Sequence, residues 1–126
     1  MNSENKTTRT VQEIAARFNQ LAQQEKWFEI QDELFADNVK SVEPATAKYL
    51  QYAEGKAAVR KKAEDWVKRI EQLHGSHTTA PVVGANYFSV GRSLDVTVKG
   101  LGRMKMDEVM VYEVVDGQIV SEQFFY

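Results

Sequence analysis

Glu108 lies in a stretch whose alternate positions, Met104, Met106, Met110, Tyr112 and Val114, are apolar or aromatic. Alternate residues of a strand share a face, so this stretch sets one carboxylate on an otherwise apolar surface. Desolvation disfavours the charged form of an acid held there and raises its pKa. A carboxyl group titrating near neutrality suits general acid–base work. The bland alternative is a buried glutamate paired with Arg92 or a tyrosine, since structural ion pairs also perturb pKa. His74 and Asp95 are the other candidates for proton transfer. His74 would stand at the mouth of a cavity as a proton shuttle, or else be a hydrogen-bonded structural histidine. Asp95 would be a second inward carboxylate, or else a solvated face residue. Glu43 ends a short strand before Pro44; it is either a rim carboxylate or a surface charge capping a neighbouring element. Convergence of Glu43, Asp95 and Glu108 would split their proton affinities by like-charge repulsion, giving an acid and a base. Arg92, Met110, Tyr112, Gln123 and Trp66 are candidates to orient a ligand by hydrogen bonds and ring contact, with core packing the competing role for Trp66.

Other chemistries find little support. The chain has no cysteine, so disulfides, thiolate catalysis and Cys-based zinc sites are excluded. His74 and His77 are three apart, and an odd separation in a strand points them to opposite faces; no metal site is expected, and no organic cofactor. Gly100-Leu101-Gly102 joins strand to strand and lacks the third glycine and following helix of a nucleotide loop. Lys+Arg 16 against Asp+Glu 18 gives a net charge of −2, which argues against nucleic acid and against a polybasic membrane anchor. The polar N-terminus shows no secretory signal, and no apolar run approaches the roughly 20 residues of a membrane helix. A soluble, cytoplasmic protein is expected.

The elements that must position these residues can be read from periodicity. The 126 residues suit one domain, with a loose tail over 1–9. Thr10 and Glu13 form a capping box ahead of a helical stripe of Val11, Ile14, Phe18, Leu21 and Ala22. A second helix spans 26–35, with Trp27, Ile30, Leu34 and Phe35 inward, and a short strand follows at 39–43. Residues 45–54 are open between a loop and a short strand through Tyr49–Tyr52. Gly55 precedes a third helix, which runs to about Gln72. Its inner stripe is Val59, Ala63, Trp66, Val67 and Ile70, with Lys56, Arg60, Lys61, Lys62, Lys68 and Arg69 outward. Period-two patterning then predicts strands near 74–82, 86–98, 104–115 and 118–126, turning at Gly84-Ala85, Gly100-Leu101-Gly102 and Asp116-Gly117. Helices followed by a meander indicate an α+β domain.

Asp116-Gly117 supplies the two φ > 0 positions of a type I′ turn, pairing Val115 with Gln118. Counting back pairs Val114–Ile119, Tyr112–Ser121, Met110–Gln123 and Glu108–Phe125 on the helix-covered face. The other face carries Val109–Phe124, Val111–Glu122 and Asp107–Tyr126, and its mixed character marks a homodimer surface. The inner face of the 86–98 strand reads Phe88, Val90, Arg92, Leu94, Val96 and Val98. Pairing Val98 with Met104 would set Leu94 opposite Glu108, Arg92 diagonal to it and Asp95 opposite Asp107. That last juxtaposition is electrostatically awkward, so a bulge or shifted register is expected.

This order of elements, ending in "VYEVVDGQIVSEQFFY", resembles the SnoaL-like group of the nuclear transport factor 2-like superfamily. "SVEP" at 41–44, Trp66, His74, "LDVT" at 94–97 and "MDEVMVYEV" at 106–114 carry the resemblance, which covers 10–126. It implies a cone of three helices on a strongly curved, mostly antiparallel sheet, open at one end to a ligand. Members include isomerases, polyketide cyclases, dehydratases and epoxide hydrolases, besides proteins that only bind. No enzyme branch's catalytic set is matched in full. The Tyr plus two-Asp set of ketosteroid isomerases has no counterpart. The Asp-Arg-Asp set of epoxide hydrolases is suggested only by Arg92 with Glu108 or Asp95. The implied partner is a small apolar or carbonyl-type molecule; a non-catalytic ligand-binding or protein-interaction module is the alternative.

Overall fold

The computed structural model describes residues 8–126, so most of the tail expected at 1–9 lies outside the described residues. Thr10 opens helix α1 (Val11–Ala22) with the expected capping box: its Oγ1 accepts from the Glu13 N–H at 3.1 Å, and its own N–H donates to Glu13 Oε1 at 2.8 Å. Helix α2 (Trp27–Leu34) leads directly into strand β1 (Phe35–Val42), which starts four residues before the pattern predicts. Residues 45–52 form a loop, and only Ala53–Glu54 pair, as β2. Helix α3 (Lys56–Arg69) passes without a break into β3 (Ile70–Thr78), because Ile70 already takes an extended backbone. A short β4 (Val82–Gly84), long β5 (Tyr87–Val98) and β6 (Gly102–Val115), and β7 (Gln118–Phe125) complete the chain.

The seven strands form one sheet in the order β2-β1-β7-β6-β5-β3, with β4 on the free flank of β5. All pairs are antiparallel except β1 with β7. Bulges in β3 and β7 and an irregular β1–β7 pairing suit strong curvature, since an extra residue bends a strand. Asp116 and Gly117 both have φ > 0, at 51° and 74°, as the type I′ turn requires.

Two apolar clusters fill the concave side. The larger joins α1, α2 and the sheet around Phe18, whose ring meets Trp27, Phe88 and Tyr112 at centroid distances of 5.8, 5.1 and 4.7 Å. The smaller is Leu94, Val96 and Val98, flanked by Trp66, Ile70, Met104 and Met106. Helix α3 spans the space between them. Of the apolar stripe read from periodicity only Val59 is fully buried; Trp66 keeps a free edge, Val67 is half exposed, and Ile70 falls past the end of the helix, which stops at Arg69 rather than near Gln72. The stripe read from periodicity is real, but it faces a cavity rather than packed core.

Two corrections of register follow. Val120 is an extra residue in β7: Val114 pairs with Ile119, then Glu113 pairs with Ser121. Beyond this bulge Tyr112 lies opposite Glu122 and Met110 opposite Phe124. Glu122 and Phe124 therefore face inward, while Ser121, Gln123 and Phe125 turn to the other face. On the β5 side, Val98 pairs with Gly102, so Arg92 is directly opposite Glu108 and Asp95 is opposite Lys105. The register is thus shifted, as the awkward Asp95–Asp107 juxtaposition led one to expect, and Asp95 meets a lysine.

Candidate functional site

A cavity of about 540 Å³ opens between α2, α3 and the concave sheet. Strand alternation delivers Arg92 and Leu94 from β5, Met106, Glu108, Met110 and Tyr112 from β6, and Glu122 and Phe124 from β7. Helix α3 contributes Val59, Lys62, Ala63 and Trp66. Five of the residues singled out in the sequence beside Glu108 line this wall: Glu43, Trp66, Arg92, Met110 and Tyr112.

Among the described residues, the Glu108 carboxyl has no hydrogen-bond partner. Burial is the main influence on it and pushes its pKa up to about 7, against the opposing pull of the Arg92 charge. Arg92 does not pair with Glu108. Its Nη1 donates to Thr78 Oγ1 at 2.9 Å and its Nη2 to Glu25 Oε1 at 3.3 Å, and its guanidinium lies 4.3 Å from the Trp27 ring centroid. Glu25 is anchored in turn. Burial opposes its ionisation, but donors from Trp27, Ser76 and Arg92 together hold its pKa below the usual range. The alternative in which Glu108 is neutralised by Arg92 is thus not the arrangement found.

Glu43, Lys62 and Glu122 on the wall are satisfied through one another and through Ser41 and Tyr126. Lys62 Nζ lies 2.6 Å from Glu43 Oε2 and donates to Ser41 Oγ at 2.8 Å. Ser41 Oγ donates to Glu122 Oε2 at 2.7 Å, and Tyr126 Oη donates to Glu43 Oε1 at 2.7 Å. Burial raises the Glu122 carboxyl to about 7, with the Ser41 hydrogen bond working the other way. Burial also raises the Tyr112 and Tyr126 hydroxyls, so both stay protonated donors at neutral pH. Among the described residues, Tyr112 Oη finds only the Met110 sulfur, at 3.7 Å. The site combines one unpartnered acid titrating near neutrality, a fixed cation behind it, and apolar walls. That arrangement can accept or return a proton at a bound polar group.

A model of the SnoaL-like domain matches residues 9–126. The chain belongs to the SnoaL-like family. Its structure is similar to that of a Mesorhizobium loti protein provisionally described as a SnoaL-like polyketide cyclase, with "carbohydrate phosphatase" in the same description. The two are 33% identical over 94% of this chain and 100% of the other, with a TM-score of 0.87. A Xanthomonas campestris protein of unknown function with a cystatin-like fold aligns at 14% identity over 93% and 90% of the two chains, TM-score 0.75. A Catenulispora acidiphila protein with a ketosteroid isomerase-like fold, solved with trimethylamine, aligns at 16% over 77% and 72%, TM-score 0.63. These last two show the fold, a three-helix α+β architecture of the cystatin-like and ketosteroid isomerase-like kind. No curated protein is similar enough to count as a match.

Within this SnoaL-like cone, three of the residues chosen from the sequence stand elsewhere. His74 is itself a bulge residue, lying between Leu73, paired with Val96, and Gly75, paired with Asp95. Its exposed ring meets Thr97 Oγ1 at 2.7 Å, on the outer face of the sheet. Asp95 alternates with buried Leu94 and Val96 and so also points outward, where Arg103 grips it at 3.0 and 2.9 Å and holds its pKa down. Gln123 is exposed because the Val120 bulge reverses the strand parity. Neither His74 nor Asp95 reaches Glu108, so the split acid–base trio of Glu43, Asp95 and Glu108 is not assembled.

Glu122 and Lys62, both read from the sequence as facing outward, line the cavity instead. Lys62 had a signal: it sits three after Val59 and four before Trp66, on the apolar stripe itself. Glu122 had none, since no glycine or turn residue marks the bulge that turns it inward. Among the described residues no group of three or more His, Cys, Asp or Glu side chains is arranged to hold a metal ion, and no helix is long and apolar enough to cross a membrane.

Proposed function

We propose that this SnoaL-like domain binds a small, largely apolar molecule carrying a carbonyl-type group and moves a proton on it through Glu108. The unpartnered Glu108 carboxyl on the cavity wall carries this reading. An acid with a pKa near 7 is present in both protonation states at neutral pH, so it can act as base and then as acid, and such transfer needs no metal or organic cofactor. Arg92, one strand away, favours the carboxylate after each proton is delivered. Met106, Met110 and Trp66 would hold the apolar body, with methionine adapting to varied shapes. The description of the Mesorhizobium loti relative points the same way, because cyclisation of a polyketide starts with proton loss beside a carbonyl.

The test uses 2-tetralone, a compact ketone with exchangeable protons beside its carbonyl. The expected result is saturable binding by calorimetry and protein-dependent deuterium incorporation in D₂O, followed by NMR. Glu108→Gln should keep the binding and lose the incorporation by about 10²-fold or more, whereas His74→Ala should change neither. Absence of binding by this ketone and by a panel of larger cyclic ketones would sink the proposal. Binding with no incorporation would favour the second reading, a non-catalytic ligand-binding module. The mutual pairing of Glu43, Lys62, Ser41 and Glu122 supports that reading, because it leaves Glu108 without a free second acid–base group. The same proposal includes a homodimer formed through the outer face of β6 and β7, around Val109 and Phe125.

A further inference from the structure

A second chamber, of about 430 Å³, lies beyond Glu108. It is bounded by the loop at 46–50, the β5–β6 turn at Leu101, and the start of β6 at Met104. Leu50, Trp66, Met106 and Glu108 line both chambers. These four side chains therefore stand at the boundary of the two chambers, which would be the waist of a joined site, and the only carboxylate among them is Glu108. The outer chamber is mostly apolar, and two of its wall residues, Tyr49 and Leu101, are large apolar side chains left exposed. Exposed apolar groups set around a concavity mark a surface that gains from being covered.

We infer that the two chambers are halves of one elongated site, and that the ligand is a two-armed apolar molecule with its polar group between the arms. This rests on the proposed function and deepens it. One arm fills the inner chamber, the polar group meets Glu108 at the waist, and the second arm crosses Trp66 into the outer chamber against Tyr49 and Leu101. A compact ligand would occupy one chamber alone and gain nothing from the other. Each methylene buried in passing the waist should tighten binding by roughly three- to fourfold.

Two ketones with a common arm test this: 2-acetylnaphthalene, and 1-(2-naphthyl)octan-1-one, which adds a six-carbon extension. Dissociation constants are measured by calorimetry for the full chain and for the double variant Tyr49→Asp/Leu101→Asp. Both substitutions are on exposed side chains, and circular dichroism verifies the fold. The expected result is binding of both ketones, with the octanone at least tenfold tighter. The variant should bind 2-acetylnaphthalene unchanged and lose most of the octanone's advantage. Equal affinity for the two ketones, or an advantage that survives the variant, overturns the two-armed site and leaves the inner-chamber reading standing. Failure of both ketones to bind overturns the two-armed site together with the reading it rests on.

Discussion

Glu108 shows how burial outweighs a nearby cation. Arg92 is its direct cross-strand neighbour, yet the guanidinium is engaged by Glu25 and Thr78, and desolvation dominates the carboxyl's proton affinity. The consequence for stability has a definite sign. An unfolded chain releases a glutamate proton near pH 4.3, whereas the folded chain keeps it until about pH 7. Between those values the unfolded state holds fewer protons, so stability falls as pH rises and levels off above the folded pKa. Glu108→Gln removes that penalty. Urea denaturation should find the variant and the parent alike near pH 4.5, with the variant more stable at pH 8 by on the order of 2 kcal/mol. A variant no more stable than the parent at pH 8 would mean that the carboxyl is better solvated than its position implies. Glu108 was legible as the one acid on an apolar period-two face. Its isolation was not, because that depends on where Arg92 spends its hydrogen bonds, and this is set by Glu25 and Thr78 from distant parts of the chain.

At the level of elements, signals contained within a few residues proved reliable. The Thr10–Glu13 box and the Asp116-Gly117 turn both appear where their residues place them. Two of the failures come where one residue interrupts a period: His74 in β3 and Val120 in β7. Such bulges follow from curving the sheet around the helices, a requirement that no short window of sequence expresses. The turn itself has a further constraint. Gly117 has φ +74°, and a Cβ there would come within 2.7 Å of Thr8 Cγ2 and 3.1 Å of the Arg9 backbone nitrogen. Gly117→Ala therefore combines left-handed backbone strain of about 1–2 kcal/mol with a collision against the entry to α1. Its thermal midpoint should drop by about 5 °C or more. Gly75→Ala is the control: it has open space and no positive φ, and scanning calorimetry should find its midpoint little changed. Equal midpoints for the two variants would argue that the turn and the α1 entry do not pack as described.

For the whole molecule, the convex side of the sheet matters as much as the cone. Val109 and Phe125 are cross-strand partners there and both are about half exposed, while Phe124, read from the sequence as part of this face, points into the cone. Sedimentation equilibrium should detect a dimer at tens of micromolar, the range of a modest interface. Val109→Glu with Phe125→Ser should give a folded monomer. A parent that is monomeric at that concentration would remove the dimer from the proposal. The Val120 bulge has a consequence at this scale too. It decides whether Glu122 and Phe124 or Gln123 and Phe125 line the cone, while leaving the turn, the strand count and the apolar content as they are. Were Val120 instead paired in regular alternation, as the turn alone predicts, an amide would replace an acid in the chamber without any change in the side chains' identities. In a fold of this kind, new pocket chemistry can arise from whether one residue is bulged out or paired, and comparisons made position by position would register no difference.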